Sequence, residues 1–139
     1  MTSQPGSGEQ RAIILVVERD PHVRALETFF LNEAGYGVEF AADGVAALAL
    51  AREIKPDIII TEILVPKLDG LALCRQVRNE PALKDTVVLI FSILAANGRA
   101  REAGADAFLM KPLAEQRLVQ TVRELLLRRA NGQLAPGRK

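Results

Sequence analysis

The stretch PDIIITEILVPKLDG, residues 56–70, decides the fold. In the run Asp57 to Thr61 the apolar side chains, Ile58 to Ile60, stand at successive rather than alternate positions, so a strand built from it is covered on both faces. Pro56 closes any helix that precedes it. A strand apolar on both sides belongs inside a sheet sandwiched by helices, which is the arrangement of parallel βα units.

Working outward, three more runs have the same character: Ala12 to Val17, Thr86 to Phe91 and Asp106 to Met110. Tyr36 to Phe40, YGVEF, makes a fifth and weaker strand. The intervening segments carry helical spacing. Asp20 before Pro21 is a start signal, because a carboxylate accepts an orphan amide and proline suits the first helical position. The first helix is predicted from Pro21 to about Ala34, with Val23, Leu26, Phe30 and Ala34 on its buried face and Gly35 ending it. Asp43 precedes an alanine-rich helix over 44–54, a third helix covers about Gly70 to Asn79, and the last runs from about Ala114 to Arg129. That last helix carries Leu118, Val122, Leu125 and Leu126 at helical spacing, and Arg128 and Arg129 suit the negative end of its dipole. The chain thus reads as an α/β protein of five βα units over 11–129. Both ends, 1–10 and 130–139, lack apolar content and are expected to be flexible tails.

Composition narrows the function classes. With 139 residues, 49% of them apolar, the chain suits a single packed core. Its longest apolar runs fall far short of the roughly 18 to 20 residues that cross a bilayer. The amino terminus MTSQPGSGEQ lacks the marks of an export signal and the single Cys74 has no internal disulfide partner, so a reducing cytoplasm is expected. A formal net charge of +1 exerts no general pull on nucleic acid or anionic membrane, and neither is expected as a partner.

In order along the chain, IILVVERDPHVR, PDIIITEILVPKLDG, LIFS and EAGADAFLMKP closely resemble the receiver domains of bacterial response regulators. The resemblance covers about residues 12–129 and implies a flavodoxin-like, doubly wound sheet of strand order 2-1-3-4-5 with five helices. Its functional crevice lies at the carboxyl ends of strands one and three. The family holds Mg²⁺ with two acidic residues after strand one and accepts phosphate on an aspartate after strand three. It places a Ser or Thr after strand four and a lysine before proline after strand five. By position these fall on Glu18 and Arg19, Glu62, Ser92 and Lys111, and Phe108 falls on an aromatic that reports the switch.

Two positions depart from the pattern, and the departures matter chemically. Transfer of a phosphoryl group to a carboxylate needs a divalent ion, and Mg²⁺ demands near-octahedral oxygen ligands. Arg19 supplies none and adds a fixed positive charge, so Mg²⁺ binding is expected to be weak or absent and Arg19 is expected to pair with Glu62 or Glu18. Glu62, one methylene longer than aspartate, pushes its carboxylate toward the place of a phosphoryl group. Glu62 then mimics the phosphorylated state, or is tolerated in a scaffold, or retains residual phosphorylation. Asp20 reads as a helix cap beside the site, Phe108 as either a reporter or a plain core residue.

The remaining candidates are weaker. His22, the one histidine, has no Cys or second His to share a metal and reads as a surface residue. Cys74 reads as a packed thiol. The segment ILAANGRAREA, 93–103, is about one turn short for the family, with Asn97-Gly98 as a turn signal inside it, so helix four is expected to be short or displaced. The resulting function is a stand-alone, phosphorylation-independent signalling module without catalytic turnover. It would act by contact with a histidine kinase or another regulator, or as a homodimer through the helix 4–strand 5–helix 5 face. The alternative is an ordinary receiver that takes phosphate from a histidine kinase. A flavin-type redox protein is disfavoured, because ERDPHVR offers no phosphate-cradling loop after strand one. For the site itself the expectation is Glu62 against Lys111 or Arg19, Ser92 near but not fully drawn in, and Phe108 not fixed inward.

Overall fold

The computed structural model describes residues 11–134. Ten elements alternate: β1 (Ile13–Val17), α1 (Pro21–Glu33), β2 (Gly37–Ala41), α2 (Gly44–Ile54), β3 (Ile58–Thr61), α3 (Gly70–Asn79), β4 (Val87–Ser92), α4 (Asn97–Glu102), β5 (Ala107–Met110) and α5 (Glu115–Ala130). All strands are parallel, in the order β2-β1-β3-β4-β5. The expected tails over 1–10 and 135–139 lie outside the described residues, and Ala130 closes α5 rather than opening a tail.

Side chains alternate across a strand, so each central strand feeds two cores. Leu15, Val17, Ile59, Val88 and Ile90 pack with Ala47, Leu73, Cys74 and Val77 of α2 and α3. Ile14, Val16, Ile58, Ile60, Val87 and Leu89 pack on the other face with Leu31, Leu118, Val122 and Leu125 of α1 and α5. This two-sided burial is why β1, β3 and β4 read as continuous apolar runs.

The caps form as the sequence indicates. Asp20 accepts the backbone N–H groups of His22 and Val23 at 2.9 and 3.3 Å, and Asp43 that of Ala46 at 2.7 Å. His22 is exposed and Cys74 fully buried; burial pushes its thiol up to about 11. Two readings need correction. The buried residues of α1 are Glu27 and Leu31, not the Val23-Leu26-Phe30-Ala34 stripe, and Leu26 is 48% exposed. The true inward row is Val23, Glu27, Leu31 at i, i+4, i+8, and a charged residue at its centre hides it from a hydrophobicity pattern. Asn97-Gly98 opens α4 instead of making a turn inside it; α4 is six residues long, short as expected.

Candidate functional site

Three backbone bonds bring the carboxyl ends of the strands level. Glu18 N–H donates to Ala41 O at 3.1 Å, Glu62 N–H to Val17 O at 3.0 Å, and Lys111 N–H to Ser92 O at 2.8 Å. Each continues a parallel ladder by one rung, so the residues that follow β1, β3, β4 and β5 meet along one edge. The loop after Glu62 is then pinned from behind. Gly70 N–H bonds Ile63 O at 2.9 Å, and a Cβ on Gly70 would stand 2.3 Å from Glu62 O, so only glycine lets α3 start this close to the site.

At this edge Glu62 is 5% exposed, yet both of its carboxylate oxygens are satisfied. Oε2 accepts the backbone N–H groups of Ile63 at 2.8 Å and Leu64 at 3.3 Å, together with a short bond from Ser92 Oγ–H. Oε1 accepts Ile93 N–H at 3.3 Å and Lys111 Nζ at 3.1 Å. Lys111 Nζ also donates to Glu18 Oε1 at 2.5 Å and lies 5.2 Å from the centre of the Phe91 ring. Glu18 Oε2 in turn accepts Asp20 N–H at 3.1 Å. One ammonium therefore bridges two buried carboxylates, and amides complete the shell.

The electrostatics follow from this packing. Burial alone would raise Glu62, but the Ser92 hydroxyl, the charge of Lys111 and the Leu64 amide outweigh it and hold the carboxyl below its ordinary range. For Lys111 burial acts to lower the pKa, and the bond to Glu18 with the charges of Glu18 and Glu62 reverses that to a net rise. Both groups are held charged.

The expected pairing of Arg19 is not seen. Arg19 is exposed and makes no hydrogen bond or ion pair among the described residues, because it follows Glu18 by one position and so projects from the opposite side of the chain. The cation between the carboxylates is Lys111. Ser92 also departs from expectation, since its hydroxyl is fully engaged on Glu62. Phe108 is half-buried against the α2–α3–α4 core.

Whether Mg²⁺ fits can be judged from the donors. Glu18 and Glu62 are bridged by an ammonium, Asp20 is an exposed cap, and Arg19 brings no oxygen. Among the described residues no three His, Cys, Asp or Glu side chains are grouped to hold a metal. The residues present do not fit the ion.

Sequence reasoning missed three features. Glu27 is buried beside this cluster, and burial, with the charges of Glu18 and Glu62 added and Lys111 opposing, pushes its carboxyl up to about 8. Arg78 and Asp106 form a buried ion pair at 2.7 Å, in which Arg78 also donates to the carbonyls of Thr86 and Gly104. Arg129 reaches Asp57 at 2.8 Å and ties the end of α5 to the start of β3. Only the i+4 row of α1 carried a signal for Glu27; the two ion pairs join residues 28 and 72 positions apart.

Comparison with known proteins agrees with this fold. The family profile described as the response regulator receiver domain matches residues 14–123. The DNA-binding dual master transcriptional regulator RpaA of Synechocystis is 34% identical over 83% of this chain and 49% of its own length. The response regulator MprA of a Mycobacterium species is 38% identical over 83% of this chain and 50% of its own length. The chain thus spans about half the length of these curated relatives. Among solved structures, a response regulator of Chloroflexus aurantiacus superposes with a TM-score of 0.82 at 34% identity, covering 86% of this chain and all of that one. The chemotaxis response regulator CheY4 of Vibrio cholerae gives 0.79 at 29% identity, covering 84% and 99%.

Proposed function

The chain belongs to the response regulator receiver family of two-component signalling, and from that premise we propose that its site is occupied by its own Glu62 and signals without phosphorylation. One observation carries this reading: the Glu62 carboxylate is held by the Ser92 hydroxyl, the Lys111 ammonium and the Ile93 amide together. Those are the donors to which a phosphoryl group on an aspartate would turn, and here an internal anion engages them. A two-state domain is shifted only by contacts that differ between its states, and a drawn-in Ser92 is such a contact. Glu62 therefore biases the domain toward the liganded form. With one negative charge where a phosphoryl group carries nearly two, the bias is partial.

In this reading the domain performs no turnover and acts by binding another protein, a histidine kinase or a regulator, or a second copy through the α4–β5–α5 face. Met110 on that face is 45% exposed, and so available for contact. Among the described residues no helix is long and apolar enough to cross a membrane.

Incubation with acetyl phosphate and Mg²⁺ tests the proposal. The expected result is no labelling. Stoichiometric, hydroxylamine-sensitive labelling at Glu62 or Asp20 would instead establish the ordinary receiver that accepts phosphate.

A further inference from the structure

A groove of about 380 Å³ opens between α1, the end of β4 and the β5–α5 connection, beside the strand-end crevice, with Lys111 between the two. Its walls are apolar: Val23, Leu26, Phe91, Ile93, Leu113 and Leu118. The volume lies within the range of small-molecule sites, roughly 300–1,000 Å³. Leu26 and Ile93 at its rim are 48% and 58% exposed and offer apolar surface to a ligand.

Three ionisable side chains face it: Glu27, Lys111 and Glu115. Lys111 is committed to Glu18 and Glu62. Glu115, half-buried in the first turn of α5, sits on the rim. Glu27 is 6% exposed and has neither a hydrogen bond nor an ion pair among the described residues. Its carboxyl oxygens are not among the fully buried unpartnered atoms of the described residues, so the carboxyl opens on the groove, where a donor from outside the chain can reach it. The sign of that partner follows from the surroundings. Glu18 and Glu62 share a single ammonium and leave one residual negative charge behind Glu27, and Glu115 adds another at the mouth. The groove is thus apolar along its length and electronegative at its deep end.

We propose that the groove between α1 and the β5–α5 connection binds a small amphipathic amine, its apolar body against Leu26, Ile93 and Leu118 and its ammonium on the Glu27 carboxylate. This is independent of the reading of Glu62. It gives Glu27 the donor it lacks and covers the exposed rim. It also explains why a carboxylate is buried on α1 at a position where leucine would pack. The raised pKa of Glu27 is the empty-groove counterpart: without a cation the carboxyl keeps its proton.

The test is a titration of the full chain, labelled with ¹⁵N, at neutral pH with three probes that share a phenylethyl body: 2-phenylethylamine, 2-phenylethanol and 3-phenylpropionate. The amine is expected to give saturable amide shifts at Val23, Glu27, Ile93, Leu113 and Leu118. The alcohol should bind at least tenfold more weakly and the carboxylate not at all. Glu27→Gln keeps the side-chain shape and should weaken the amine at least tenfold, with a dispersed spectrum confirming its fold. Should that variant not fold, the unaltered protein still decides, since at equal concentration the amine should raise its thermal midpoint clearly more than the alcohol, and the carboxylate should not raise it. Equal binding of amine and alcohol would overturn the proposal and leave an apolar groove suited to a helix of a partner protein. Absence of saturable shifts, or shifts elsewhere, would overturn it as well.

Discussion

Glu27 gives the sharpest stability prediction. Its carboxyl titrates at about 8 in the fold against an ordinary 4.5 in the unfolded chain. Between those values the folded protein keeps a proton that the unfolded chain has lost, so stability falls as pH rises. The contribution is fully present below about 4.5, declines through the window and is gone above about 8. One pKa unit corresponds to about 1.36 kcal/mol, so the 3.5-unit gap sets an upper bound of roughly 5 kcal/mol. Glu27→Gln removes the titration and keeps the shape. The stability of the variant minus that of the parent should therefore grow by up to about 1.4 kcal/mol per pH unit, or about 2–3 kcal/mol between roughly pH 5.5 and 7.5. Glu62 is held below and Lys111 above their ordinary values, so neither titrates in this window. Urea unfolding of both proteins across the window measures the difference, and parallel curves would refute the argument that Glu27 is buried without a partner.

Other expectations bear on the site and its frame. Restoring metal-dependent phosphorylation should require both Arg19→Asp and Glu62→Asp, because Arg19 leaves the ion without a ligand and Glu62 already engages Lys111 and Ser92; if Glu62→Asp alone is labelled by acetyl phosphate as well as the double variant, position 19 is irrelevant. The double variant should also gain Mg²⁺ affinity, read by titration calorimetry. Arg78→Ala should destabilise by about 3–5 kcal/mol in urea unfolding, since it takes the guanidinium away from the buried Asp106 carboxylate and from the carbonyls of Thr86 and Gly104.

Local pattern carried most of the fold. Continuous apolar runs mark β1, β3 and β4 because each is covered on both faces, and Asp20-Pro21 and Asp43 mark helix starts because a cap is a contact between residues two or three apart. Those signals are short-range, so sequence alone locates them. The sequence also placed Glu18, Glu62, Ser92 and Lys111 at strand ends, and the parallel register then had to bring them together. It did not decide which cation would lie between the carboxylates. Arg19 and Lys111 are both basic, and only the twofold alternation at the end of β1 and the approach of β5 give that place to Lys111. Nor could it reveal that Ser92 is drawn fully onto Glu62, which depends on the separation of β3 and β4. Glu27 and the Arg78–Asp106 pair belong wholly to tertiary structure: a charged residue reads as exposed until packing of α1 and α5, or of residues 28 positions apart, removes water from it.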